Sequence, residues 1–217
     1  MIKIENTEVF GWEAAIRGMR NPMNSWDKSD SYWTHIEDAE TGQTAKFEFF
    51  VGENDLDLMK RLSKAGNDHA KYLRMLNVTL DITAPLYWWK EFDTYKVGTV
   101  ANSCSTMHKI HTKPFERDDF SHDRMTGDAI EALDALVAYL EAERVKFCEN
   151  KDDRSHWHNI IQLLPSSFNQ MRTVTLNYEN LIGIYYARRT HKLAEWHTLC
   201  DWIMSLPYAN DLIAVKE

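Results

Sequence analysis

Residues 77–108 read NVTLDITAPLYWWKEFDTYKVGTVANSCSTMH. The first seven alternate and are rich in β-branched side chains, which predicts a strand with Val78, Leu80 and Ile82 on one face. Pro85 suits the first turn of a helix, with Thr83 near its cap. Trp88, Trp89 and Phe92 then cover one helical face. A loop dense in donors and acceptors follows: Thr94, Tyr95, Lys96, Thr99, Asn102, Ser103, Cys104, Ser105 and His108. A polar loop held on an apolar scaffold is the usual construction of a small-molecule site. An ordinary polar surface loop fits these residues equally well, and the stretch alone does not choose.

On the N-terminal side, residues 2–10 alternate weakly as a strand, 11–20 read as a short helix and 21–32 are turn-rich. Phe47, Phe49 and Val51 alternate as a further strand. Asn54 or Asp55 caps a helix carrying Leu56, Leu58, Met59 and Leu62, which ends near Gly66. Asn67 and Asp68 open another, with Tyr72, Leu73, Met75 and Leu76 inward. On the C-terminal side, residues 126–149 form the clearest helix, with a stripe of Ile130, Leu133, Leu136, Val137, Leu140 and Phe147. Helix 153–164 stops before Pro165. Residues 170–177 read as a strand, after which Asn177 caps a helix through Ile182, Ile184 and Tyr185. The last helix, about 191–205, buries Leu193, Trp196, Leu199, Cys200 and Ile203. Nothing reads as a linker or repeat, so one domain over 1–217 is expected. Its class is α+β, helix-rich with a small, mostly antiparallel sheet.

The chain is 44% apolar and 12% aromatic, which supports a core and opposes disorder. A net charge of −8 removes any general attraction to nucleic acid or to a membrane surface. Cys104, Cys148 and Cys200 are odd in number and widely spaced, as suits a reducing cytoplasm. No signal peptide and no run of about 18 apolar residues is visible.

His108 with His111, His156 with His158, and His191 with His197 lack the converging spacing of a zinc site, so no metal is expected. Cys104 with His108 four residues later carries no nucleophile signature, and a small, partly buried thiol is the better reading. Serine-hydrolase, P-loop and dinucleotide glycine motifs are missing. In NQMRTVTLNYENLIGIYYARRTHKLAEW (169–196), Arg172, Arg188, Arg189, His191 and Lys192 offer cationic donors. Tyr178, Tyr185, Tyr186 and Trp196 offer stacking faces. That pairing suits a planar, phosphorylated ligand. An amphipathic helix pair with a solvated basic edge also accounts for it.

Taken in order, these features resemble the flavin-dependent thymidylate synthases over roughly residues 55–205. LDLMKRLSKAGNDH (56–69) resembles the family's first helix, with Gly66 and His69, and VTLDITAPLYWWKEF (78–92) its strand and entering helix. Thr175-Leu176-Asn177 with Leu181 is similar to the family's Val-Asn-x-x-x-Leu. Arg188 or Arg189 falls where a family arginine stands, and Ala194-Glu195-Trp196 is similar to Ala-Gln-Trp. There are departures. The family's Arg-His-Arg falls on Thr94, Tyr95 and Lys96, and Cys104 replaces the serine of Ser-x-Arg, whose arginine becomes Thr106. Glu179 replaces an arginine that grips phosphate, and a carboxylate there repels one.

The resemblance implies FAD-assisted one-carbon transfer to dUMP or an analogue, with FAD held at the junction of a homotetramer. Cofactor contacts would fall to Tyr95, Lys96, Asn177, Arg188, Arg189 and His191. Substrate contacts would fall to Ser103, Ser105, His108 and Arg172. Such chemistry needs no protein nucleophile. The alternative is a catalytically inactive nucleotide-binding or phage-type interaction protein on the same scaffold. A fold without a strand feeding the 85–93 helix would end the comparison.

Overall fold

The computed structural model describes residues 2–37 and 44–215. Among them are six strands: β1 (Lys3–Phe10), β2 (Tyr32–Glu37), β3 (Thr44–Phe50), β4 (Asn77–Pro85), β5 (Val100–Ser103) and β6 (Asn169–Asn177). The helices are α1 (Trp12–Arg20), α2 (Glu53–Lys64), α3 (Leu86–Phe92), α4 (Gly127–Glu149), α5 (Ser155–Leu163), α6 (Tyr178–Arg188), α7 (Ala194–Met204) and α8 (Ala209–Leu212). One sheet has the order β1-β4-β6-β5, and β2 and β3 form a separate antiparallel ribbon. This is the expected helix-rich α+β class with a small antiparallel sheet. Contacts divide the chain into two compact units. The first comprises Met1–Asn6, Leu80–Lys96 and Val100–Val174; the second comprises Thr7–Thr79, Val97–Thr99 and Thr175–Glu217.

Strand β4 feeds α3 directly. Its buried positions alternate along Val78, Leu80, Ile82 and Ala84, as β-branched period-two patterning dictates. The strand runs through to Pro85, which is itself the N-cap of α3, so Thr83 lies within the strand and not at the cap.

In the first unit, Trp88, Trp89 and Phe92 are buried and pack as rings, with Trp88 edge-on to Trp89 at 4.9 Å. A second cluster joins Leu133 and Leu140 of α4 to Ile160 of α5 and to Ile110, Phe115 and Phe120. Leu133, Leu140 and Phe147 recur two turns apart and face inward, as the stripe predicts. Buried Glu143 accepts from Lys146 Nζ at 2.8 Å, His156 Nδ1 at 2.8 Å and Asn159 Nδ2 at 2.7 Å, which clamps α4 to α5. These donors hold its carboxyl at about 2. The folded value lies below the ordinary 4.5, so this stabilisation is complete above that value and fades as pH falls toward 2. Glu143→Gln is expected to cost about 1–2 kcal/mol in denaturant melts at neutral pH and to lessen the acid sensitivity of the melt.

In the second unit, α2 is capped by Gly52 and not by Asn54 or Asp55. Asp55 instead turns inward, where it meets Arg20 Nε at 2.6 Å. Residues 67–75 make only a short 3₁₀ turn at Ala70–Arg74, which leaves Met75 46% exposed rather than inward. Gly11 has φ +97°, and any Cβ there would meet Met75 O at 2.1 Å, so the turn into α1 requires glycine. The turn-rich 21–32 segment holds two 3₁₀ turns before β2 begins at Tyr32. Asn177 caps α6 as expected, through a reciprocal box with Asn180.

Candidate functional site

A cleft of about 510 Å³ opens in the first unit, within the 300–1,000 Å³ range of small-molecule sites. Ile110, Phe115 and Phe168 supply its apolar surface, and Ser105, Lys109 and Lys113 are among its polar groups.

Its position follows from a relay that begins in the core. Trp89 Nε1 donates to Gln170 O at 2.9 Å, and the Gln170 side chain donates to Cys104 O at 2.8 Å. Cys104 N donates to Met171 O at 2.9 Å, so the chain leaving β5 is pinned to β6 on both sides. Arg172 braces this joint. Its guanidinium sits 4.1 Å from the Trp89 ring centre and donates to Gln170 Oε1 at 3.0 Å and to Asp93 at 2.7 Å. The far rim is tied to α4. Phe115 N donates to Glu141 Oε2 at 2.9 Å, and Arg117 makes a two-pronged pair with Asp134 at 2.6 and 2.5 Å. Lys113 pairs with Asp119, whose other oxygen accepts from Glu116 N. Arg144 donates to both oxygens of Glu141 and holds that carboxyl below its usual range.

Of the substrate residues expected from the sequence, Ser105 lines this cleft, and its hydroxyl accepts from His108 N at 2.9 Å. Ser103 and His108 are exposed neighbours on the same segment, and Arg172 stands behind it in the brace. Tyr95 is half-buried, 6.3 Å from the Phe92 ring, and Lys96 is exposed.

The remaining expected residues lie in the second unit. Asn177 is occupied as the α6 cap, and Gly98 (φ +75°) passes so close that a Cβ would meet Asn177 Nδ2 at 3.0 Å. Asn180 Nδ2 holds Val97 O at 2.8 Å. Arg188 lies 4.5 Å from the Trp196 ring centre, and Arg189 lies 5.1 Å from that of Tyr186. His191 Nδ1 accepts from Leu193 N at 3.2 Å. Glu179 is neutralised by a two-pronged pair with Arg74 at 2.6 and 2.9 Å, so an arginine does reach this position, from a different element. Burial pushes the Cys200 thiol up to about 11, which makes it inert at neutral pH.

The fold also brings Lys109, Lys113, Phe115, Phe168 and Gln170 to the cleft, residues that no standard sequence motif singles out. The run KIHTKPFERDD (109–119) carries a signal of its own: two lysines four apart, then a proline and an aromatic. Among the described residues, no group of three or more His, Cys, Asp or Glu side chains is placed to hold a metal, and no helix is long and apolar enough to cross a membrane.

No family model matches the sequence, and no curated protein is detectably similar to it. Solved structures are. A flavin-dependent thymidylate synthase from Helicobacter pylori, complexed with FAD and dUMP, matches with a TM-score of 0.67 at 15% identity over 97% of each chain. A second structure of that enzyme with FAD and dUMP matches at 0.68, with 16% identity and full coverage of both chains. A UMP/dUMP methylase from Streptomyces cacaoi, bound with 5-Br dUMP, matches at 0.58 and 13% identity, covering 99% of this chain and 94% of that one. The protein therefore has the fold of the flavin-dependent thymidylate synthases.

Proposed function

We propose that the protein is a thymidylate synthase-like or dUMP-methylase-like enzyme whose 105–119 cleft takes a pyrimidine deoxynucleotide. The observation that carries this reading is the end-to-end agreement in fold with an enzyme complexed with FAD and dUMP. In the cleft, Phe115 and Phe168 offer ring faces to the base. Lys109 takes the phosphate, and Ser105 hydrogen-bonds the sugar or base. Gln170 and Arg172 act as positioning residues through Cys104.

FAD is the second ligand of this proposal. The donor set at the end of α6 fits it: Arg188, Arg189 and His191 combine cationic charge with the rings of Trp196, Tyr185 and Tyr186. In the first unit, Tyr95 and Lys96 separately offer a ring and a charge to a nucleotide. A bound flavin would supply the hydride for one-carbon transfer. A homotetramer in the cytoplasm completes this reading.

The test combines calorimetric titration with dUMP and an absorbance spectrum after FAD addition and desalting. Lys109→Ala is expected to weaken dUMP binding about tenfold, as loss of one charged hydrogen bond does. Arg188→Ala is expected to lower retained flavin. If Lys96→Ala, Lys109→Ala and Arg188→Ala all leave both ligands bound as before, these assignments fail. A second reading, nucleotide binding without turnover, is favoured by two observations: Arg172 is tied to Asp93, and Thr94-Tyr95 stand where the family carries Arg-His. Release of the C5 hydrogen of dUMP separates the two readings, because only the enzyme releases it.

A further inference from the structure

The second unit holds another cleft, of about 320 Å³, that shares no lining residue with the first. Trp26, Tyr32, Trp33 and Phe49 line it, together with Arg17 and Glu13 of α1.

Three features mark it as a built site. Large aromatic side chains normally supply core burial, yet Trp26, Tyr32 and Trp33 are 51%, 55% and 57% exposed. Such a patch on a soluble protein usually marks a binding surface. These rings are also fixed. Trp26 Nε1 donates to Asn21 Oδ1 at 2.8 Å, and Trp33 Nε1 donates to Glu13 Oε2 at 3.0 Å. Trp33 packs edge-on to Phe49 across the ribbon at 5.2 Å, and Tyr32 meets Phe50 at the same distance. Finally, the backbone that carries them is braced from inside. Arg20 donates to Ser25 O at 3.2 Å and Lys28 O at 3.1 Å, while Asp55 accepts from the Ser29 and Ser31 hydroxyls at 2.6 and 2.7 Å. The ordering entropy of this surface is therefore met by folding and not at the moment of binding.

Arg17, one turn before Arg20 on α1, is 64% exposed and lies 4.0 Å from Glu13. A guanidinium beside fixed aromatic faces recognises a planar heteroaromatic ring that carries a negative group. The cleft volume suits a base with its ribose. We propose that it binds a purine nucleoside monophosphate, with the base stacked on the indoles and Arg17 on the phosphate. A purine covers more indole surface than a pyrimidine does. This proposal is independent of the function assigned to the first cleft.

The probe is 2-aminopurine riboside 5′-monophosphate, whose emission is quenched by stacking, titrated into the full chain with excess dUMP present. Saturable quenching at one probe per chain is expected. Trp33→Ala should weaken it at least about tenfold, the usual effect of removing one stacking face. Arg17→Gln should weaken it about fivefold and flatten its salt dependence. Both side chains are exposed, so unchanged melting temperatures check that the variants fold. No quenching at millimolar probe overturns the proposal, as does quenching that neither variant alters. So does an oligomer that Trp33→Ala dissociates while the probe stays unbound, because a second copy of the chain then covers this face.

Discussion

Asp55→Ala is expected to destabilise the protein by about 3–5 kcal/mol, as removing one partner of a buried ion pair does. The carboxylate is fully buried and accepts from Arg20 Nε, the Ser29 and Ser31 hydroxyls, and the amides of Asp30 and Ser31. Burial on its own raises this carboxyl; the two serine hydroxyls and the Arg20 guanidinium outweigh it and hold it below its ordinary value of 3.8. Removing it strands a guanidinium that is only 4% exposed and leaves the serine donors unpaired. Because the folded value is lowered, the stabilisation is full above about 3.8 and is lost as pH falls through the folded value. Urea melts at pH 7 and pH 3 measure both effects: Asp55→Asn should lose part of the stability at pH 7 and show a smaller drop on acidification than the parent. A loss under 1 kcal/mol for Asp55→Ala would refute the brace. The 2-aminopurine probe should release from Asp55→Ala even at temperatures where the variant remains folded, because the 25–31 segment loses its anchor.

The strand-to-helix joint at 77–92 was legible because two periodicities meet there with a proline between them. The cap at Asn177 was legible for a similar reason, since a side-chain acceptor precedes an apolar run. Strand β5 was not, because all four of its residues are exposed and nothing alternates; pairing with β6 makes it a strand. Asp55 has the local pattern of a cap, but its partner, Arg20, lies 35 residues away. Local propensity for a cap loses there to a long-range ion pair. The aromatics at 26–33 were hidden by the turn residues around them, and exposed rings leave no burial period to detect. The cleft at 105–119 is set by Gln170, whose part depends on a contact to Cys104 that is 66 residues distant. Glu179 shows the limit of reading a substitution position by position. Its charge is cancelled by Arg74, 105 residues away, in a turn that the sequence suggested was helix.

Trp89→Ala is expected to cost about 3–5 kcal/mol and to weaken dUMP binding at least about tenfold under conditions where the variant stays folded. The stability loss follows from burial: the ring has no exposed surface and packs on Trp88 and Phe92. The binding loss follows from connectivity. Trp89 holds Gln170 O through its indole and carries the Arg172 guanidinium on its face, and Gln170 in turn fixes Cys104 at the cleft. Without the ring, Arg172 loses its platform, and the start of the 105–119 segment is no longer set against β6. Trp89→Phe divides the two effects. It retains most of the packing and a face for Arg172 but removes the indole N–H, so the Gln170 carbonyl loses a partner at a cost of about 1 kcal/mol. Its dUMP affinity should fall less than that of Trp89→Ala. The purine site should be unaffected in both variants, since none of its lining residues belongs to this relay. If Trp89→Ala loses stability yet binds dUMP as tightly as the parent, the relay is only core packing, and the cleft is positioned instead by its ties to α4, through Phe115 to Glu141 and Arg117 to Asp134.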